Sequence, residues 1–506
     1  MPTPKSAATP KSPTPKSISR PKSKAASLSC SIKDPGDSTA QKTVDVWLFR
    51  SGFYHGYLPR EDVAALLKRK GDFLVRLSES LITNASEKPI RRTSNVISVL
   101  VEGNQIKNIV VYHRGGKWYL EESLKFDSAA LLFAHYMNRP LLLDKVPVLL
   151  QRGVNLCRWE FFHRSVKIMK TVGRGAYGEV KMAELHKRNG EKSIVAVKTL
   201  SRDNGVTISP KLIKEILKEA RIMRRLRHPN IVTFVGVVLV DHPLYIILEY
   251  VQGGALDSYL RKNKDKIKDD ERLQLALGVA WGMEYLHKVN ILHRDIAARN
   301  CLYDKRFTVK ISDFGLSRRG TTYKMKTMQK MPIKYMAPES LSQFLFSQKT
   351  DVYSYGILIY ELYSCKEPYQ GVSNVETRSM VVGGKLNKMP DNVPPDLSSF
   401  VKEKMWCQNP AERTDFHEIV QFLEKKTGRK LQIDAFDDLP TIAATIEGSR
   451  ILEKKDKKKK SSKVTEKVPL PDLNNIELNT PKPVYGKMAE IAEETKMIQE
   501  EKKEKT

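Results

Sequence analysis

The chain has 506 residues, a formal net charge of +29 and 41% hydrophobic residues, a length that suggests about two or three domains with ordinary cores. Its five cysteines, at 30, 157, 301, 365 and 407, show neither disulfide-framework nor CxxC metal spacing, which argues against a secreted scaffold and for a reducing compartment. No apolar run is long enough to cross a bilayer, the N-terminus lacks a signal-peptide core, and Pro2 removes the myristoylation signal, so a cytoplasmic chain without a transmembrane segment is expected.

Residues 1–43 repeat Pro-Lys-Ser at 4–6, 10–12, 15–17 and 21–23, with no acidic residue before Asp34. This composition cannot bury enough apolar area to offset ordering entropy, so a disordered basic arm is expected. The alternative is weak contact with nucleic acid, microtubules or anionic lipid, tuned by phosphorylation at Thr9 or Ser12. Residues 44–145 read as a small α+β domain: a helix punctuated by Pro59 and Gly71 and striped by Val63, Leu66 and Leu67, then strands DFLVRL, NVISVLV, IKNIVVYH and KWYLEE, then a second helix DSAALLFAHYM. A linker is expected over 146–165. Residues 166–429 begin strand-rich (VKIMKTVGRG, SIVAVKTL, PLYIILEY) and continue helical (ERLQLALGVAWGMEYLHK), which implies two lobes. Residues 430–506, with EKKDKKKKSSK at 453–463, read as a charged, mostly disordered tail.

The larger domain carries the chemistry. Gly173-Arg174-Gly175-Ala176-Tyr177-Gly178 leads into strand formers rather than a helix. That disfavours a dinucleotide-binding turn and favours a hairpin laid over phosphates. Lys198, in the apolar strand VAVK, needs an anion. Glu219 is a candidate partner, on a helix opened by Ser209-Pro210 and striped by Leu212, Ile216 and Met223, although an isolated Lys–Glu pair is also an ordinary structural ion pair. His293-Arg294-Asp295 is followed by Asn300 and then by Asp313-Phe314-Gly315. Asp295 can take a hydroxyl proton, while Asn300 and Asp313 can hold Mg²⁺. Glu339, in APE, has Arg413 as a plausible buried partner.

In this order the motifs of residues 166–429 resemble a protein kinase catalytic domain, and Ala297, Arg299 and Pro332 resemble the tyrosine-specific branch, in which Pro332 is implied to form an apolar platform for the acceptor's phenol ring. The resemblance implies ATP with Mg²⁺, or Mn²⁺ in its place, as cofactor. It implies catalytic roles for Asp295, Arg299, Lys198 and Glu219. It also implies ATP contacts from the glycine-rich turn, Val180, Ala196, Lys198, the rear-pocket residue Leu248 and the hinge residues Glu249 and Val251. Tyr323 is the implied autophosphorylation site, its phosphate pairing with Arg294. The sequence departs from the family with Tyr335 and Tyr353 in place of Trp, Met405 in place of Cys and Thr414 in place of Pro.

In DFLVRL, strand geometry puts Leu74, Arg76 and Ser78 on one face. A buried guanidinium needs either a structural carboxylate or an external dianion that it grips as a fork. FYHGYLPR and FLVRLS resemble an SH2 domain, a central antiparallel sheet flanked by two helices, with Arg60, Arg76 and Ser78 as the implied phosphotyrosine ligands. Leu77 stands for the family's Glu, and Asn108 for its His. An SH2 domain followed by a kinase domain, with Trp159 leading in, resembles the Fes/Fer group of non-receptor tyrosine kinases. That group's N-terminal membrane-binding and coiled-coil region has no counterpart in the sequence, so curvature sensing is not expected. The expected function is phosphoryl transfer from ATP to protein tyrosines, with SH2 recruitment to phosphotyrosine proteins and bracing of the small lobe. A phosphotyrosine scaffold with an inactive kinase domain is the rival reading. Tyr485 is a candidate tail ligand for the chain's own SH2 domain, and no oligomeric state is assigned.

Overall fold

The computed structural model describes residues 45–82, 90–143, 146–175, 178–199, 210–304, 308–326 and 331–431. The basic arm over 1–43, Ala176 and Tyr177, and the tail from 432 onward with Tyr485 lie outside the described residues.

Helix α1, Arg60–Leu66, starts behind Pro59 and carries Glu61 and Asp62 in its first turn, where they meet the positive end of the helix dipole. It stops well before Gly71, the expected end. Leu67 turns extended, and the Asp72 carboxylate accepts the backbone N–H groups of Lys68 and Arg69 at 2.8 Å each. Arg152 holds that carboxylate at 2.7 Å. The strands then follow as β1 (Asp72–Ile82), β2 (Ile90–Leu100), β3 (Ile106–Arg114), β4 (Lys117–Glu121) and β5 (Leu124–Phe126). Helix α2, Ala129–Asn138, is capped by Ser128, which accepts from Leu131 N. Phe133 of α2 packs its ring on Phe53 and Phe73, closing one face of the sheet.

The stretch expected as a linker is built into both domains. Arg152–Gly153, strand β6, pairs in parallel with the start of β1, so the small sheet runs β5-β4-β3-β2-β1-β6. Further on, Phe161 N donates to Val237 O and Val237 N to Trp159 O, both at 2.8 Å. The Glu160 carboxylate between them accepts from His55 Nδ1 at 2.9 Å and Cys157 N at 2.9 Å.

The small lobe of the larger domain is a sheet of β7 (Val166–Gly175), β8 (Gly178–His186), β9 (Lys192–Thr199), β10 (Phe234–Val238) and β11 (Tyr245–Glu249), ordered β10-β11-β9-β8-β7. Helix α3, Pro210–Met223, lies beside it. Its described buried apolar residues are Ile213, Leu217, Ala220, Ile222 and Met223. Of the expected stripe Met223 is among them, and the Leu212 and Ile216 side chains lie outside the described residues.

The SH2-like domain packs directly on this lobe. Leu58, Val63 and Leu67 share one apolar cluster with Trp159, Leu217, Ala220 and Leu239. Gly56, at φ +55°, lets the backbones meet: a Cβ there would lie 2.1 Å from Leu239 O. The adjacent Tyr57 N donates to that same oxygen at 2.9 Å. Asp62 reaches across to Arg221 and Arg224, 3.2 Å from each.

The large lobe is built on α4 (Leu256–Asn263) and on α5 (Asp269–Lys288), which opens with Asp269, Asp270 and Glu271 and is buried along most of its length. Strands β12 (Cys301–Asp304) and β13 (Thr308–Ile311) form a hairpin beneath the cleft. Strands β14 (Thr322–Lys324) and β15 (Leu345–Ser347) pair antiparallel. Helix α6, Gln348–Ser364, begins in a Ser347/Thr350 capping box, and α7, Phe416–Thr427, packs against α5. Glu339 and Arg413 form a buried bidentate pair at 2.7 and 2.9 Å, with the Arg413 guanidinium over the Tyr353 ring at 5.1 Å. Among the described residues, no helix is long and apolar enough to cross a membrane.

Candidate active site

Lys198 projects from β9, opposite Val180 on one side and Ile246 on the other. Its ammonium lies 3.0 Å from both Glu219 oxygens and 3.7 Å from Asp313 Oδ1. Two sequence segments and a helix therefore converge on one cation. Burial pushes the Glu219 carboxyl above the ordinary carboxylate range, with Lys198 opposing and Asp313 adding to the rise.

The loop from His293 to Asn300 is held from below by Asp351 of α6. This fully buried carboxylate accepts His293 N at 2.9 Å and Arg294 N at 2.8 Å. Those bonds fix Arg294 in a left-handed conformation, φ +69°, that a side chain of its size otherwise avoids. The Arg299 guanidinium donates to Asp295, and Asn300 Nδ2 donates to the Asp295 carbonyl at 2.8 Å, which leaves Asn300 Oδ1 as the oxygen not used in that bond. Phe314 is buried against the His293 ring, and Asp313 takes φ +58°.

A cleft of about 1300 Å³ separates the lobes. Gly173, Val180, Ala196, Glu249 and Val251 line its upper part and hinge, and Asp295, Arg299, Asn300 and Asp313 its floor. Leu248 pairs with Ala196 across β9 and β11, and Glu249 is tied to Lys310 at 2.8 Å. Among the described residues, a Cβ placed on Gly173 would meet no atom within 4 Å, so the strand is open to close approach there. The backbones of Arg174 and Gly175 continue β7, and β8 restarts at Gly178 with φ +148°. The floor residues Asn300 and Asp313 carry hard oxygen donors, a type that would suit Mg²⁺.

Tyr323 lies in β14, half-buried, with the Arg294 guanidinium over its ring at 4.6 Å and Arg318 at 5.4 Å. Arg294 also donates to Leu316 O at 2.9 Å, and burial, with Arg318 adding, pulls its pKa down to about 10.

In the smaller domain Arg76 is 5% exposed, and among the described residues no carboxylate lies within ion-pair distance of it. Among the described residues its partners are neutral. Nε donates to Ser98 Oγ and Nη2 to Asn108 Oδ1, each at 3.1 Å, and Ser98 Oγ donates to the same Asn108 oxygen at 2.8 Å. Neutral partners orient the fork without cancelling its charge. Burial, followed by the nearby Arg60 charge, lowers the Arg76 pKa, while Glu61 opposes. Arg60 starts α1 and is exposed; Ser78 follows on the Arg76 face of β1, half-buried.

Sequence reasoning missed Asp351, Glu361 and Asp62. Asp351 and Glu361 are the two acids of a helix buried along most of its length, and a buried carboxylate demands donors. That was the available signal. Nothing in the sequence distinguishes Asp62 from a helix-start acid.

A two-lobed cleft with this constellation, joined to an SH2-type socket, defines an SH2-containing protein kinase. Residues 166–423 match the protein tyrosine and serine/threonine kinase family, and residues 53–136 match the SH2 domain. Fer-related kinase 1 of Caenorhabditis elegans is 35% identical over 377 residues, covering 72% of this chain and 91% of that protein. The transforming protein Fps of avian sarcoma virus PRCII is 35% identical over 381 residues, covering 74% and 68%. Rat Fer is 36% identical over 382 residues, of which the match spans 74% of this chain but only 44% of Fer. The chain belongs to the SH2-containing, Fer/Fps-like non-receptor tyrosine kinases. It is a protein-tyrosine kinase that uses ATP, with an SH2 domain of the phosphotyrosine-binding type.

Proposed function

We propose that the chain phosphorylates tyrosines of cytoplasmic proteins to which its SH2 domain has been drawn by phosphotyrosine. Asp295 accepts the proton of the acceptor hydroxyl, and Arg299, paired with it, keeps the carboxylate aimed. Lys198 orients the α- and β-phosphates and is itself fixed by Glu219. Asn300 and Asp313 would hold Mg²⁺, which would offset the negative charge that builds up on the phosphoryl group ATP supplies. Gly173 to Gly178, Val180, Ala196, Leu248, Glu249 and Val251 enclose the nucleotide. Tyr323 is the autophosphorylation site, its phosphate taken by the cations already around its ring, Arg294 and Arg318. Arg76, with Arg60 and Ser78, grips the phosphotyrosine dianion. The basic tails add weak contacts with anionic surfaces.

The observation that carries this reading is the Lys198 ammonium within 3.0 Å of Glu219 and 3.7 Å of Asp313, because it brings the helix, the strand and the metal-side acid to one point. The SH2 domain braces that arrangement through Asp62, since Arg221 and Arg224 flank the same end of α3 as Glu219. A tyrosine-phosphorylation assay comparing the intact chain with Asp295→Asn tests the assignment. A loss of at least roughly a hundredfold is expected from removing the base, and equal rates would overturn it.

A further inference from the structure

The base Asp295 and the turn that carries Pro332 belong to different segments of the sequence, yet an acceptor tyrosine resting its ring on the platform implied at Pro332 has to bring its hydroxyl to Asp295. One buried side chain touches the two segments at once. Glu361, near the C-terminal end of α6, is 5% exposed. Its Oε2 accepts Ala298 N of the catalytic loop at 2.8 Å. Its Oε1 accepts the Tyr335 hydroxyl at 2.8 Å. Tyr335 closes the short 3₁₀ turn Ile333–Tyr335 that directly follows Pro332. The Tyr335 ring in turn lies beneath the Arg299 guanidinium, 4.4 Å from its Cζ, and Arg299 is the residue paired with Asp295. Asp295, Ala298, Arg299, Pro332, Tyr335 and Glu361 all line the same cleft.

We infer that Glu361 and Tyr335 act as one positioning unit, a carboxylate–phenol clamp that sets the distance between Asp295 and the tyrosine-acceptor platform at Pro332. The argument rests on the catalytic assignment of Asp295 and Arg299 made above. Each carboxylate oxygen is committed to a different segment, so neither segment can shift without stranding a buried acceptor. The phenol has two functions in one side chain: its hydroxyl fixes the platform turn to α6, and its face supports the guanidinium that aims the base. At this position the family usually has Trp, whose single indole N–H can also donate to a carboxylate. The Tyr in this chain performs that donation through a hydroxyl 2.8 Å from Glu361. The helix itself is anchored independently: the Ser354 hydroxyl, on the same α6, donates to the Tyr335 carbonyl at 2.8 Å. Loss of the phenol hydroxyl therefore loosens the turn's outer end and leaves the inner end in place.

The test is steady-state kinetics on a tyrosine peptide with the full chain, comparing Tyr335→Phe, Tyr335→Trp, Glu361→Gln and the double change Tyr335→Phe with Glu361→Gln. Tyr335→Phe keeps the ring over which Arg299 lies and removes only the clamp bond. It is expected to lower kcat for peptide roughly tenfold, the order for a lost bond to a charged acceptor, with KM for ATP unchanged. Tyr335→Trp restores a donor and is expected to recover most of that loss. Glu361→Gln, whose amide can serve only one of the two donors through its oxygen, is expected to fall as far as Tyr335→Phe. The double change is expected to be no worse than either single one, because the pair acts as a unit. Protection against thermal unfolding by Mg·ATP reports that each variant is folded. Should Glu361→Gln fail to fold, the Phe and Trp variants decide alone. Tyr335→Phe within twofold of wild type, or a Trp variant as impaired as the Phe variant, overturns the inference, as do strictly additive losses in the double variant. Asp295→Asn, run alongside, reports separately on the underlying assignment. If it retains the wild-type rate, the catalytic reading falls, whatever Tyr335 does.

Discussion

Replacing Asp62 by Asn should weaken catalysis at a site to which Asp62 contributes no atom. The carboxylate is 8% exposed, and it faces Arg221, 28% exposed, and Arg224, 14% exposed, each at 3.2 Å. Stranding fully buried partners costs about 3–5 kcal/mol. Solvent screens part of that here, so roughly 2 kcal/mol is the reasonable scale once the exposed share is discounted. Arg221 follows Glu219 by two residues on α3, so loss of the carboxylate acts on the helix segment that fixes Lys198. If the whole term biases α3 toward the position in which Glu219 meets Lys198, roughly 2 kcal/mol corresponds to about a thirtyfold shift in that equilibrium. The expected result is a fall of roughly tenfold in kcat/KM for a tyrosine peptide, with a lower melting temperature. The change also removes a favourable acid from the first turn of α1, which is worth only about 0.5 kcal/mol and touches stability alone. Melting and kinetics measured on the same full-length variant separate the two effects. A melting point that drops while kcat/KM stays within twofold of wild type would refute the brace and leave Asp62 a stabilising residue only.

Two further outcomes follow from the other charged sites. Arg76→Lys keeps the charge but loses the fork that Ser98 and Asn108 orient. Binding of a phosphotyrosine peptide, read by fluorescence anisotropy, should weaken roughly thirtyfold or more, and a change below threefold would count against the socket. His55 offers a pH dependence. Burial alone would lower its pKa, but the Glu160 charge and hydrogen bond and the Val154 carbonyl outweigh it and raise the pKa above 6.5. The folded state therefore holds the proton more tightly than the unfolded chain. The stabilisation is fully present below pH 6.5 and is lost as pH rises through the raised folded value. The melting-temperature gap between wild type and His55→Gln should narrow as pH climbs through that window, and a gap independent of pH would show that the pair is not ionic.

Much of this protein is legible in its sequence. The order of Gly173, Lys198, Asp295, Asn300 and Asp313 carries its meaning in local spacing, because phosphoryl transfer needs those residue types and each lies in a short motif with its own strand or loop. Arg76 was legible for the same reason, as a cation in a strand otherwise made to be buried. The sequence could not reveal which neighbours hold these groups. Whether Arg76 answers to a carboxylate or to Ser98 and Asn108 depends on the β1–β2–β3 register, which brings together residues 22 and 32 positions away. Asp351 and Glu361 act on a loop about sixty residues earlier, and Asp62 on a helix 159 positions later. Such contacts arise from packing between elements, and no periodicity in the chain encodes them. The sequence by itself fixes what chemistry the chain carries; only the tertiary structure decides which buried carboxylates hold that chemistry in place.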